Sequence, residues 1–304
     1  MPNRIRVAVP ATSANLGPGF DCLGLALSLH NIVEIEEIEQ GLEIEINGEG
    51  SQSFPKGRGN SVVRAAYKVF DLIGHQPGGL CVTTTNNIPA GSGLGSSAAA
   101  LVGGLVAANK LLGESLGRDQ ILNLAVELEG HPDNVSAALL GGLVMSSYTD
   151  DGLAARRVAV APMEVAVALP DVRTSTRELR AALPTQVLMK DAVANIGRAV
   201  LVVEALREGD FDLLGQVMKD RLHEPYRRKT IPGFQRACNA AYEAGASAVA
   251  ISGAGPSVIA FAPANLDRIA EAMEAAFRQA GQANVRRWVL PVDMQGARVK
   301  IQAS

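Results

Sequence analysis

The stretch Pro89-Ala-Gly-Ser-Gly-Leu-Gly-Ser-Ser-Ala-Ala99 decides how the rest of the chain is read. Glycines alternate at Gly91, Gly93 and Gly95, so side chains are absent where backbone N–H groups can converge on an anion. Ser96 and Ser97 then open a helix that continues Ala98-Ala99-Ala100. The first N–H groups of a helix have no intrahelical partner and its dipole is positive there, which suits a phosphate. The alanines allow close packing beneath a ligand. Better-known glycine loops are spelled differently. A Walker A loop ends in Gly-Lys-Ser/Thr, and a dinucleotide fingerprint wants its third Gly where Ser96 stands. A hydrolase elbow needs Gly-x-Ser-x-Gly, also absent here. A glycine-rich turn before a packed helix is the alternative for these glycines taken alone.

Working outward, a strand at Leu80 to Thr85 leads into the loop, and the helix runs over Ser96 to Leu112. Towards the N-terminus, Arg4 to Val9 alternates and stops at Pro10. Asn31 to Glu39 and Leu42 to Ile46 alternate Ile/Leu with Glu around Gln40-Gly41, which predicts an antiparallel hairpin with one wet face. Asn60 and Ser61 precede apolar positions Val62, Ala66, Val69, Phe70 and Ile73 at helical spacing, and Gly74 ends that helix. Further helices are expected at Asp119–Glu129 and Pro132–Leu140, and a strand at Leu143–Tyr148. Asp150-Asp151-Gly152 is a turn signal and the expected boundary between two domains, 1–152 and 153–304. Beyond it the pattern gives strands near Val158 and Val165–Leu169, and helices over Ser175–Ala182, Gln186–Arg207, Phe211–Lys219 and Pro232–Glu243. A strand pair flanks Ser252–Pro256, then come a helix at Leu266–Gln279 and a strand near Val285–Leu290. Helices and strands are mixed with hairpin signals, so the class is α+β.

Composition narrows the partners. With 28 basic and 31 acidic residues and no basic block, the net charge is −3, which argues against nucleic acid. Cys22, Cys81 and Cys238 are too few and scattered for a disulfide framework, and point to a reducing compartment. His30, His75, His131 and His223 are too dispersed for a zinc site. No signal-peptide core opens the chain and no run approaches about 18 apolar residues, so the expectation is a soluble cytoplasmic protein with no membrane partner.

Two more glycine-bearing loops accompany the first. Pro10-Ala-Thr-Ser-Ala-Asn-Leu-Gly-Pro-Gly-Phe-Asp21 follows the first strand, and Ile251-Ser-Gly-Ala-Gly-Pro-Ser257 lies between two apolar strands. In order and spacing, the three resemble the signature motifs of the GHMP small-molecule kinases over essentially the whole chain. The spelling resembles the homoserine kinase branch, with further matches at His131-Pro-Asp-Asn134, Ser175-Thr176-x-x-x-Arg180, and Glu224-Pro-Tyr-Arg227 followed by Ile231-Pro-Gly233.

That resemblance implies a two-domain fold, an N-terminal ribosomal-protein-S5-domain-2-like domain and a C-terminal ferredoxin-like α/β domain. It implies phosphorylation of the L-homoserine side-chain hydroxyl by ATP, as in threonine biosynthesis, and a homodimer. Pro89, Ala90, Gly91, Ser92, Gly93, Leu94, Gly95, Ser96 and Ser97 would wrap the ATP phosphates, with Gly253 and Gly255 from the third loop. Ser97 and Glu129 would hold Mg²⁺, which favours hard oxygens and takes only one or two protein ligands beside phosphate and water. Glu127 is the competing carboxylate. Asn60 matches the position that contacts adenine, with a plain N-cap as the alternative. Asn15, Asp21, Arg180 and Arg227 match the amino-acid site, where Asp21 suits the ammonium and an arginine fork the carboxylate. Surface ion pairs for the arginines and an Asx-turn for Asn15 are the bland alternatives. Asn134 and Thr176 would lie near the reacting hydroxyl. The first motif lacks the Lys that mevalonate kinases carry, so the expectation is direct in-line transfer without a dedicated base, with Asp133 the one carboxylate in the right motif to serve as one.

Overall fold

A computed structural model describes residues 4–172 and 176–300. The first sheet contains β1 (Arg4–Ala14), β2 (Leu23–Ile38), β3 (Gly41–Gly48) and β4 (Gly79–Asn86). It also contains β5 (Leu143–Thr149), β6 (Gly152–Val158) and β11 (Arg298–Lys300), in the order β11-β1-β2-β4-β3 with β5 and β6 extending from β2. A second, antiparallel sheet has the order β10-β7-β9-β8, from β7 (Glu164–Leu169), β8 (Ala248–Ile251), β9 (Val258–Phe261) and β10 (Arg286–Pro291). The helices are α1 (Ser61–Ile73), α2 (Ser96–Leu111), α3 (Arg118–Glu129), α4 (Pro132–Leu140) and α5 (Thr176–Ala181). They continue with α6 (Met189–Glu208), α7 (Phe211–Val217), α8 (Glu224–Arg227), α9 (Phe234–Glu243) and α10 (Leu266–Gln279).

The expected hairpin between β2 and β3 does not form. β3 pairs in parallel with β4, from Gly41↔Gly79 to Gly48↔Asn86, and β4 is the strand antiparallel to β2. The reason is edge occupancy: β2 carries β1 along one edge, and β5 and then β4 along the other. Helix α1 between β3 and β4 provides the crossover that a parallel pair needs. Alternation had revealed which face of β3 is wet, not which strand it joins. Nor does β1 stop at Pro10. It continues to Ala14 through a register shift between Pro10 and Ala11, a bulge that accommodates the missing N–H. Asp150 and Asp151 turn the chain from β5 into β6, whose partner is still β5, and the chain passes to the second sheet after β6.

The second sheet has two buried faces. Val165, Val167, Ile259 and Phe261 join the large core that also contains Val7, Leu25 and Val102. The alternate residues Ala166, Ala168, Val258 and Ala260 face a core completed by α9 and α10. One core is thus continuous from the first sheet into one face of the second, which fixes the two halves against each other. Close packing of this kind transmits position, so loops from both halves can build one site.

Candidate active site

Three loops meet where the shared core reaches the surface. The loop after β1 is locked by Asn15: its Oδ1 accepts from Asp21 N at 3.0 Å and its Nδ2 donates to Gly253 O at 2.6 Å. Asn15, Leu16 and Asp21 have φ of 71°, 48° and 55°. Left-handed non-glycine residues cost of order 1–3 kcal/mol each and persist only where surroundings enforce them. Here the fully buried Leu16 side chain and the Asn15 bonds do so. Between β4 and α2, Gly93 and Gly95 have φ of 79° and 71°. A Cβ on Gly93 would stand 2.3 Å from Ser252 O, and one on Gly95 2.0 Å from Thr12 Oγ1. Only glycine lets the three loops close this tightly. Ser252 Oγ, 2.8 Å from Gly93 O and 2.9 Å from Ser13 Oγ, joins all three.

The N-terminus of α2 faces the resulting cleft. Gly95 is its N-cap, no side chain caps it, and its first turn holds no acid, so its leading N–H groups remain available. Gly91, Ser96 and Ser97 are shared by two adjoining pockets. One is mostly apolar, lined by Phe54, Pro55, Val62 and Ala100, with Asn60 at its wall. The other is polar and contains Asp21, Glu129, His131, Asp133, Arg180 and Arg227.

The two arginines reach the polar pocket differently. Arg180, on α5, makes a bidentate pair with Asp21, both bonds 2.8 Å. That bond, which outweighs the cost of burial, raises the Arg180 pKa. Both partners keep solvent access, and such a pair contributes only about 0–1 kcal/mol. An incoming zwitterion can therefore replace it at small cost. Arg227, on α8, is 1% exposed; burial pushes its pKa down. Its Nη1 lies 3.3 Å from His223 Nδ1 and 3.4 Å from Gly253 O, while its Nε has no partner. The residue lines the polar pocket, and a largely desolvated guanidinium there is a receptor for an anion.

The remaining expected residues fall as follows. Ser97 Oγ donates to Glu129 Oε2 at 2.7 Å, at the α2 N-terminus, while Glu127 pairs instead with Lys68 at 2.7 Å. Among the described residues no three His, Cys, Asp or Glu cluster as a metal site. One hydroxyl and one carboxylate beside a phosphate cradle suit Mg²⁺, which fills its shell from phosphate and water. Asn60 caps α1, accepting from Val62 N and donating to Pro55 O, and so does the N-cap work while lining the apolar pocket. Leu94 turns its side chain into the core and Pro89 O accepts from Ser92 Oγ, so both shape the loop and neither lines these two pockets. Gly253 and Gly255 line the polar pocket. Thr176 begins α5, and its side chain lies outside the described residues, as does Ser175.

Asp133 and Asn134 sit in the first turn of α4. Asp133 Oδ1 accepts from Asn134 N and lies 2.7 Å from His131 Nδ1; Asn134 Oδ1 accepts from Thr12 Oγ1 at 2.7 Å. Burial alone would lower the His131 pKa, but the hydrogen bond and charge of Asp133, with Glu129, outweigh it and the pKa is raised. His131 stands at the N-cap of α4, but its side chain makes no cap bond and turns to Asp133.

Sequence reading gave no role to Phe20, Asp220, His223 or Glu224. Asp220 Oδ2 accepts from the backbone N–H of Leu222, His223 and Glu224, and so sets the start of α8. Glu224 Oε1 accepts from Ile251 N, and burial pushes its carboxyl up to about 8. The residue keeps some surface exposure, but the hydrogen-bonded carboxyl lies beneath protein atoms. The signal for α8 was present: Pro225 in the first turn is a helix-start residue.

The fold and this site define a small-molecule kinase of the GHMP type. The family model for the GHMP kinases N terminal domain matches residues 60–142, and that for the GHMP kinases C terminal matches 202–279. The chain is 48% identical over 276 residues to the homoserine kinase of Moorella thermoacetica, covering 90% of this chain and 93% of that one. It is 44% identical over 299 residues to that of Caldicellulosiruptor bescii, covering 97% and 96%. The crystal structure of homoserine kinase from Cytophaga hutchinsonii superposes with a TM-score of 0.90 at 33% identity, covering 99% and 98%. The chain belongs to the homoserine kinases of the GHMP family.

Proposed function

We propose that this cleft transfers the γ-phosphate of ATP to the side-chain hydroxyl of L-homoserine, giving O-phospho-L-homoserine for threonine biosynthesis. The observation that carries the reading is the junction of an uncapped helix N-terminus with Asp21, Arg180 and Arg227 in one pocket. An anion cradle beside a paired carboxylate and guanidinium is what a phosphate donor and a zwitterionic acceptor require. Adenine would occupy the apolar pocket by Asn60, and the phosphates the loop over Gly91–Ser97 with Gly253 and Gly255. Ser97 and Glu129 would hold Mg²⁺, whose charge offsets that of the phosphates. On this reading residues 1–152 carry most of the nucleotide site and 153–304 complete the amino-acid side.

The substrate ammonium takes Asp21, and its carboxylate takes Arg227 with Arg180 released from its ion pair. Asn15, committed to Asp21 N and Gly253 O, acts by holding the loop that presents Asp21. Asn134 and Thr176 flank the reacting hydroxyl. Transfer is direct and in line, without a dedicated base. Asp133 is engaged by His131 and by a backbone N–H, and phosphoryl transfer through a loose transition state needs positioning and charge more than deprotonation. Asp133→Asn should therefore cost less than about 10³-fold in kcat, and a larger loss with binding intact would mean a true base.

The test is turnover with Mg-ATP and a panel of L-homoserine, L-serine, L-threonine, mevalonate and galactose, reading ADP and phosphoproduct. Dominant turnover of homoserine supports the reading. Turnover of mevalonate or galactose instead keeps the nucleotide site and overturns the amino-acid clamp. Tight ATP binding without turnover makes the protein a nucleotide-responsive regulator.

The chain is further proposed to be a cytoplasmic homodimer; no helix among the described residues is long and apolar enough to cross a membrane. Met189, Val193, Ile196 and Val200 form an exposed apolar row on α6 at helical spacing. Ile196→Glu should give a monomer by light scattering if this is the dimer face.

A further inference from the structure

Phe20 lies between the strained loop and the two arginines, and the proposed chemistry gives it no task. Its ring stacks on that of His223, with centroids 5.0 Å apart and an interplanar angle of 22°. Arg227 Cζ lies 5.2 Å from the Phe20 centroid and Arg180 Cζ 5.7 Å. One ring from the first half of the chain thus meets two cations from the second.

The support beneath this ring is built, not incidental. His223 is wholly buried, and its Nε2 is 2.8 Å from Gly17 O. A carbonyl only accepts, so Nε2 carries the proton and Nδ1 is left to accept from Arg227 Nη1. Burial lowers the His223 pKa, which agrees with a neutral ring beside a guanidinium. Asp220 fixes the His223 backbone, and Asn195 Nδ2 in turn donates to Asp220 Oδ1 at 2.6 Å while lying 3.3 Å from Pro18 O. The platform and the Asp21 loop are therefore one assembly.

Two guanidinium groups close to one ring repel, and Arg180 is among the charges that depress the Arg227 pKa, after burial. The negative face of an aromatic ring offsets that repulsion and orients both groups. Arg227 nonetheless lines the polar pocket, where its charge awaits an anion.

We propose that Phe20, seated on His223, is a positioning residue that aims Arg180 and Arg227 together and so sets the preference for an acceptor carrying a carboxylate. The proposal rests on the kinase reading above. It predicts a selective defect: an acceptor lacking the carboxylate does not use the arginines and does not sense the ring.

The experiment compares L-homoserine with 3-aminopropanol, the same amino alcohol without its carboxylate, in the wild-type protein and in Phe20→Leu. The 3-aminopropanol is read as acceptor or, if turnover is slow, as competitive inhibitor. Phe20→Leu should lose about 10- to 100-fold in kcat/KM for homoserine, mainly through KM. The constants for 3-aminopropanol and the KM for ATP should stay within about 3-fold, and Phe20→Trp should restore most of the loss. Phe20→Met, of similar volume, serves if the leucine variant proves unstable. Equal losses for both acceptors, or an unchanged ratio between them, overturn the proposal. A wild-type protein that does not phosphorylate homoserine sinks the parent reading instead, and the two failures are told apart by that control.

Discussion

The two pockets that share Gly91, Ser96 and Ser97 are built on opposite principles. The apolar one draws on residues 31–100 alone, within the first sheet and its helices. The polar one takes Asp21 and Glu129 from the first half of the chain, and Arg180, Arg227 and Gly253 from the second. A flat apolar ligand needs a shaped slot, which one rigid layer can supply. A zwitterion needs opposite charges held a few ångströms apart without collapsing on each other, which takes elements from different layers. Here they do partly collapse, since Asp21 and Arg180 are paired, and the buried Arg227 stays apart because α8 holds it.

The largest effect is expected where that separation is enforced. Arg227→Met should lower kcat/KM for homoserine by about 10³-fold, since it removes a desolvated charge from a bidentate site. The KM for ATP should change little; a comparable rise in it would mean the pockets are not separable. Glu129→Gln, at the seam, should lower kcat by about 10²-fold and raise the Mg²⁺ concentration for half-maximal rate. If the rate falls with no change in Mg²⁺ dependence, Glu129 is not a ligand.

Asn60→Ala tests the apolar pocket and should cost about 1 kcal/mol of stability through the lost cap of α1, seen as a lower Tm. An accompanying rise in the KM for ATP but not for homoserine would separate adenine contact from capping. An effect of a different kind, on the pH dependence of stability, concerns Glu224. Unfolded, its carboxyl titrates near 4.5; folded, near 8. Between those values the folded state holds the extra proton, so its contribution to stability falls as pH rises from about 5 to about 8 and levels off above. Glu224→Gln should flatten that part of the Tm-versus-pH curve, and an unchanged slope would show that Glu224 is not its source.

Much of the nucleotide side was legible in the chain. Alternating glycines followed by Ser96-Ser97 and alanines predicted the loop and α2 to within a residue, because local backbone demands are written in local residues. The amino-acid side was legible only as a set of residue types. Nothing at Asp21 announces a bond to Arg180, 159 positions away, and nothing at Phe20 announces His223. The parallel pairing of β3 with β4 was equally hidden, for alternation gives a strand its wet face but not its neighbour.

By itself, then, the sequence determined the class of elements, the positions of the three glycine-bearing loops and the chemistry available in each. Helical and strand periods, caps and φ preferences act over a few residues, and they suffice for that. Only the tertiary structure decided which charges meet, that Glu127 goes to Lys68 while Glu129 goes to Ser97, and that Arg227 is buried on a ring from the other half. Those choices depend on which edges and faces the shared core brings within reach, and no local rule carries that information.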